Sequence, residues 1–230
     1  MNEPRVYLVT GAFGALGTAV TAKLAAQGAH LALLDAAAEP PEPRATTDAA
    51  LRLGGVDLTD ANQADHAVQS AAARWGRLDG VVNIAGGFRW ESIAEGSAQT
   101  WDLLFAMNVK TALHTCRSAL PWLKARGGRV VNVGAAAAGR AGAGMGAYAA
   151  SKSAVLRLTE ALAEETRDHG VNVNAILPSI IDTPANRRDM PEADYSRWVA
   201  PDALADVVAF LLGDGARAIT GAGIPVTGRL

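Results

Sequence analysis

The sequence predicts an α/β fold, a mainly parallel sheet of about seven strands with helices on both faces. Three observations carry this. Short apolar runs of strand length recur at 5–10, 30–34, 51–56, 78–84, 129–133, 171–177 and 224–226. They are apolar almost throughout, as strands covered on both faces must be. Longer stretches with helical spacing separate them, and that alternation specifies parallel pairing with crossover helices. Finally, 230 residues without a repeat or low-complexity tail suit one well-buried domain spanning 1–230 and are short for two.

Composition removes several function classes. A net charge of −2 with 19% charged residues creates no field that would gather a polyanion or an anionic membrane surface, so nucleic-acid and membrane partners are not expected. No uncharged apolar stretch approaches membrane-spanning length. The lone Cys116 allows no internal disulfide and spells no metal cluster. Only a few residues precede the first apolar run, which leaves no room for a signal peptide and predicts a cytoplasmic protein.

Taken in order, the run at 5–10 (RVYLVT) breaks into Gly11-Ala12-Phe13-Gly14-Ala15-Leu16-Gly17 and then a helix to Gln27. Strand, glycine-rich turn and helix together form a phosphate cradle, because glycines admit the pyrophosphate and free N–H groups of the helix start face its charge. The strand at 30–34 ends on Asp35, placed to accept from ribose hydroxyls and to repel an extra phosphate, which favours NAD(H) over NADP(H). Ala12, Phe13 and Ala36 supply no compensating cation. Pro40, Pro41 and Pro43 mark 36–48 as an exposed loop. Asp57, followed by Leu58, stands where an adenine edge can be met, and a turn or cap role fits Asp57 equally. A helix follows from about 60 to 75, with Gly76 past its end.

The strand at 78–84 runs through Asn83, a polar side chain suited to pinning the strand ends, into Ala85-Gly86-Gly87, small residues where backbone must pass close to a ligand. Phe88, Arg89 and Trp90 continue as a candidate substrate wall. A long helical pattern spans 97–126, with Pro121 expected to kink or end it. Asn108 sits mid-helix against its propensity, which points to a specific hydrogen bond. After the strand at 129–133 comes a small-residue run that includes Ala135, then a helix at 148–167. Residues 179–199, with Met190 and Trp198, have the composition of an irregular substrate lid, and a helix with proline in its first turn spans Pro201–Leu212.

The chemistry is centred on Tyr148 and Lys152. Four apart on a helix, they share one face. An ammonium beside a phenol lowers the phenol's pKa and makes it a usable proton donor near neutrality. Lys152 is one of four lysines among 21 basic residues.

The glycine turn at 11–17, Asn83-Ile84-Ala85-Gly86, Asn108, Tyr148-x-x-x-Lys152, Pro178 through Thr183 and Ile219-Thr220-Gly221 resemble, in order, the short-chain dehydrogenases/reductases over essentially the whole chain. The resemblance implies a single Rossmann-type, doubly wound domain that binds a nicotinamide cofactor, acts on a small molecule and forms a homodimer or homotetramer. It implies Tyr148 as proton donor or acceptor, Lys152 on the nicotinamide ribose and Asn108 steadying a water in a proton relay. Pro178, Ile181 and Thr183 would meet the carboxamide or phosphate. Three positions depart from the family: Ala135 replaces a serine that donates to the substrate oxygen, Ala15 a glycine of the turn, and Ser179 a glycine after Pro178. The missing serine, with Gly144-Met145 and the segment from Leu177 to Trp198, resembles the branch of quinonoid dihydropteridine reductases. Two further readings stay open: a general alcohol or carbonyl oxidoreductase lacking the serine, and a non-catalytic NAD-binding sensor or scaffold.

Overall fold

The computed structural model describes residues 3–38 and 49–230. Pro40, Pro41 and Pro43, expected in a loop from the sequence, lie outside the described residues. In chain order the elements are β1 (Val6–Thr10), α1 (Ala15–Ala26), β2 (His30–Leu34), β3 (Ala50–Leu53), α2 (Ala61–Trp75), β4 (Gly80–Asn83), α3 (Ala98–Phe105), α4 (Thr111–Lys124), β5 (Arg129–Val133), α5 (Gly146–Glu165), β6 (Asn172–Pro178), α6 (Pro184–Asp189), α7 (Pro201–Leu212) and β7 (Gly223–Val226). The strands form one seven-stranded sheet in the order β3-β2-β1-β4-β5-β6-β7, every pairing parallel.

The two-residue period of a strand divides the core in two. Tyr7 and Val9 of β1, Leu31 and Leu33 of β2, and Val131 of β5 pack with α1 and α7 on one face. Val6, Leu8, Ala32, Leu34 and Val130 pack with α2, α4 and the end of α5 on the other. The strand order reverses between β1 and β4, and the crevice at the carboxyl ends of those two strands is where such sheets bind ligands. Among the described residues no helix is long and apolar enough to cross a membrane.

Three expectations need correction. The third strand stops at Leu53 and does not reach 56, because Gly54-Gly55 turns the chain, with Gly55 at φ 74°. Pro121 does not end its helix, which runs on to Lys124. So near the helix end proline removes one backbone bond, while buried Leu123 and the Trp122 indole, donating to Gln69 Oε1 at 3.2 Å, hold the last turn. The stretch 179–199 is not irregular throughout. Pro184 occupies the first turn of α6, and Thr183 accepts from the Asn186 N–H at 3.1 Å, ordinary start signals for a helix.

Candidate active site

The glycine turn is built around close backbone approach. Gly11 has φ +62°, and a Cβ on it would lie 2.9 Å from the Ala85 nitrogen. A Cβ on Gly17 would collide with the Gly11 carbonyl oxygen, so α1 rests directly on the turn. Leu16 and Gly17 are buried in the first turn of α1, which has no side-chain cap at Gly14; its leading N–H groups are left for an anion. Asp35 is oriented by two backbone donors, Phe13 N–H to Oδ2 and Ala37 N–H to Oδ1, both at 2.9 Å. The sequence reading missed Arg52: from β3 its guanidinium carbon sits 5.0 Å above the Phe13 ring. That cation lies 17 residues beyond Asp35 in the chain and reaches Phe13 through the pairing of β2 with β3.

Several residues expected at the cofactor have partners within the fold. Asn83 is buried and pins the strands: its Nδ2 donates to Asn132 Oδ1 at 2.8 Å and to Cys116 Sγ at 3.2 Å. Asn132 in turn donates to Thr159 Oγ1 at 2.9 Å. Asp57 closes a turn, its Oδ1 accepting from the Thr59 N–H and hydroxyl at 2.9 and 2.7 Å. Leu58 is core, and Thr183 serves as the α6 cap described above.

Tyr148 and Lys152 lie one turn apart on α5 and both line a cavity of about 1390 Å³. So do Leu16, Gly86, Pro178 and Ile181. Lys152 is buried, and its ammonium donates to the Val133 carbonyl at 2.8 Å. Its Nζ lies 6.0 Å from the centre of the Tyr148 ring. Burial lowers the Lys152 pKa to about 8 and raises that of Tyr148 to about 12. The expected acidic phenol is therefore not what the chain alone produces: desolvation outweighs a cation whose hydrogen bond goes to backbone.

Asn108 sits in a π-helical turn, Ala106–Lys110, between α3 and α4; such bulges often mark functional sites. Its Oδ1 accepts from the Gly87 N–H at 2.8 Å, and its Nδ2 donates to the Gly87 carbonyl at 3.1 Å and to Ser151 Oγ at 2.9 Å. Both amide hydrogens are thus committed, and the side chain anchors the turn after β4. A Cβ on Gly86 would strike Asn108 Oδ1 and lie 3.5 Å from Lys152 Nζ, so only glycine lets the chain pass here.

The wall residues mostly fall where the sequence placed them. Phe88, Trp90, Ala135 and Met190 line the cavity, and Ala135 offers no donor to a substrate oxygen. Trp198 does not line it; it is 7% exposed and packs on Tyr195, ring centres 4.8 Å apart. A bridge between Ile181 and Val199 ties that strip to the body of the protein.

The sequence profile described as short chain dehydrogenase matches residues 5–194. D-threitol dehydrogenase of Mycolicibacterium smegmatis is 34% identical over 245 residues, covering 98% of this chain and 92% of that protein. The 3-oxoacyl-[acyl-carrier-protein] reductase of Thermotoga maritima is 30% identical over 243 residues, covering 99% and 98%. Among solved structures, the 3-ketoacyl-(acyl-carrier-protein) reductase of Brucella melitensis complexed with NADH superposes with a TM-score of 0.87 at 28% identity, over 99% of this chain and 98% of that one. With the fold, the order of motifs and these relatives in agreement, the chain belongs to the short-chain dehydrogenase/reductase family and is an NAD(P)-dependent oxidoreductase.

Proposed function

We propose that this chain transfers hydride between a nicotinamide cofactor and the carbonyl or carbinol carbon of a small organic substrate, with Tyr148 moving the proton. The observation that supports this most is the pairing of Tyr148 with Lys152 on one face of α5, both against the large cavity beside the glycine turn. The residues fit a dinucleotide: the uncapped α1 start suits pyrophosphate, Asp35 suits ribose hydroxyls, and the Gly86 cradle admits close approach. When bound, the cofactor supplies or accepts the hydride. Tyr148, neutral at pH 7, donates its proton to the substrate oxygen in reduction. The Lys152 ammonium stabilises the phenolate left behind. Asn108 acts by fixing Gly87 and the segment that follows.

NAD(H) is the proposed partner, because a fixed Asp35 carboxylate opposes a 2′-phosphate; Arg52 nearby moderates that preference. The relatives named above are a D-threitol dehydrogenase and a 3-oxoacyl-[acyl-carrier-protein] reductase, which supports an alcohol or ketone as first reading. A conjugated acceptor such as quinonoid dihydropterin is the second, favoured by Ala135, since such a ring needs no second donor to its oxygen. Residues 179–199 act as the lid, through Ile180, Asn186 and Met190 on the cavity wall. Exposed Trp101, Phe105 and Leu113 on α3 and α4 support a homo-oligomer, and the lone buried Cys116 suits a cytoplasmic setting.

The test is NADH oxidation with ketones, aldehydes, quinones and quinonoid dihydropterin. At least one is expected to turn over, with kcat falling roughly 10²–10⁴-fold in Tyr148→Phe and NADH binding retained. NADH binding without oxidation of any, unaltered in Lys152→Ala, would favour the sensor or scaffold reading instead.

A further inference from the structure

We propose that the substrate carries an apolar group, aryl or branched alkyl, beside its reacting carbon, and that Phe88, held by a clasp between Trp90 and Gly144, selects it. This rests on the oxidoreductase reading above and specifies its substrate class.

Residues 86–91 cross the cavity between two anchors. At one end Asn108 grips Gly87 through both its backbone groups. At the other, the Trp90 Nε1–H donates to the Ala143 carbonyl at 3.0 Å and the Glu91 N–H to the Gly144 carbonyl at 2.8 Å. The Trp90 indole lies where a Cβ on Gly144 would be, and Gly144 has φ +73°; sterics and backbone both require glycine there. Between the anchors the Phe88 ring meets Tyr148 edge-on, centres 4.9 Å apart at 83°, an arrangement aromatic pairs favour.

Phe88 is nonetheless 56% exposed and forms cavity wall next to the proton donor. Leu103, Met145, Ile180 and Met190 line the same cavity. A large aromatic surface fixed in position but left facing water gains when an apolar group covers it. The Phe88, Leu103 and Ile180 side chains carry no hydrogen-bonding group for hydroxyls flanking the reacting carbon, and each hydroxyl left unpaired against them costs on the order of tenfold or more in binding. Asn186, a polar member of the lining, commits its amide to the Ile181 carbonyl at 2.7 Å.

The test measures binding of acetophenone and 1,3-dihydroxyacetone by calorimetry to NADH-loaded Tyr148→Phe, whose turnover is too slow to interfere. Acetophenone is expected to bind at least tenfold more tightly. Adding Phe88→Ala or Trp90→Ala should erase most of that ratio with NADH affinity unchanged within twofold. Trp90→Phe, which keeps a ring over Gly144, should restore it. With Tyr148 present, the same substitutions should lower the kcat/KM ratio of the two ketones, chiefly through the KM of acetophenone. Equal or tighter binding of dihydroxyacetone would overturn the proposal and mean that Gln99, Arg140 or Asp189 reaches the substrate. A ratio indifferent to Phe88→Ala would overturn it as well. Failure of the underlying reading looks different: no NADH oxidation with any ketone when Tyr148 is intact, whatever the binding ratio.

Discussion

Lys152 shows what burial does to a working residue. Its pKa is held at about 8, below the ordinary 10.5, while that of Tyr148 is pushed to about 12 from 10.0. At pH 7 the lysine is mostly charged and the phenol neutral, the pair of states that the proposed reduction needs. Raising the pH through 8 discharges Lys152, so kcat for reduction should fall with a midpoint near 8 in a pH profile. Oxidation needs the phenolate and should speed up as pH rises. Linkage has a definite sign here: with its folded pKa below the unfolded one, Lys152 destabilises the fold fully below pH 8, and this penalty disappears as pH rises through 10.5. Lys152→Met is therefore expected to unfold a few degrees higher at pH 7, by about 2 kcal/mol, while losing activity; calorimetry checks the first effect and NADH oxidation the second. Arg52 allows a second measurement at this scale. Asp35→Ser should tighten NADPH binding on the order of tenfold, and adding Arg52→Gln should reverse the gain, read by fluorescence titration. The placing of Tyr148 and Lys152 on one helix face, and of Asp35 at the end of β2, was legible in the sequence because each follows from local pattern. Arg52 was not, because only pairing of β2 with β3 brings it to Phe13.

Elements succeed here where local chemistry and packing agree. His30–Leu34, Arg129–Val133 and Pro201–Leu212 have the bounds that pattern and punctuation dictate. The π-helical turn at Asn108 follows from no propensity; it accompanies an asparagine whose amide is needed at Gly87. The turn and α1 behave as one unit because Gly17 touches Gly11. Gly17→Ala is expected to push α1 off the turn, weakening NADH binding tenfold or more and lowering the melting temperature, whereas Gly28→Ala, with nothing within 4 Å of its Cβ, should cost only the strain of its positive φ and leave NADH affinity unchanged.

For the whole molecule, the reversal of strand order between β1 and β4 joins the glycine turn, the Gly86 cradle and the α5 pair in one crevice. Because that crevice exists only in the folded chain, NADH at a hundred times its Kd should stabilise the protein by about 2.7 kcal/mol, a rise in melting temperature of several degrees; an equal concentration of NADPH should give less. The sequence by itself determined the layered α/β architecture, the glycine turn and the Tyr148–Lys152 pair, since periodicity, glycine placement and i, i+4 spacing are properties of short stretches. Only the tertiary structure decided which partners Asn83 ties together, that Trp198 turns into the body, that Trp90 rests on Gly144 and that burial holds Tyr148 neutral. Each of these depends on distances between residues far apart in the chain and on how much water their packing excludes, and neither quantity is carried by local pattern.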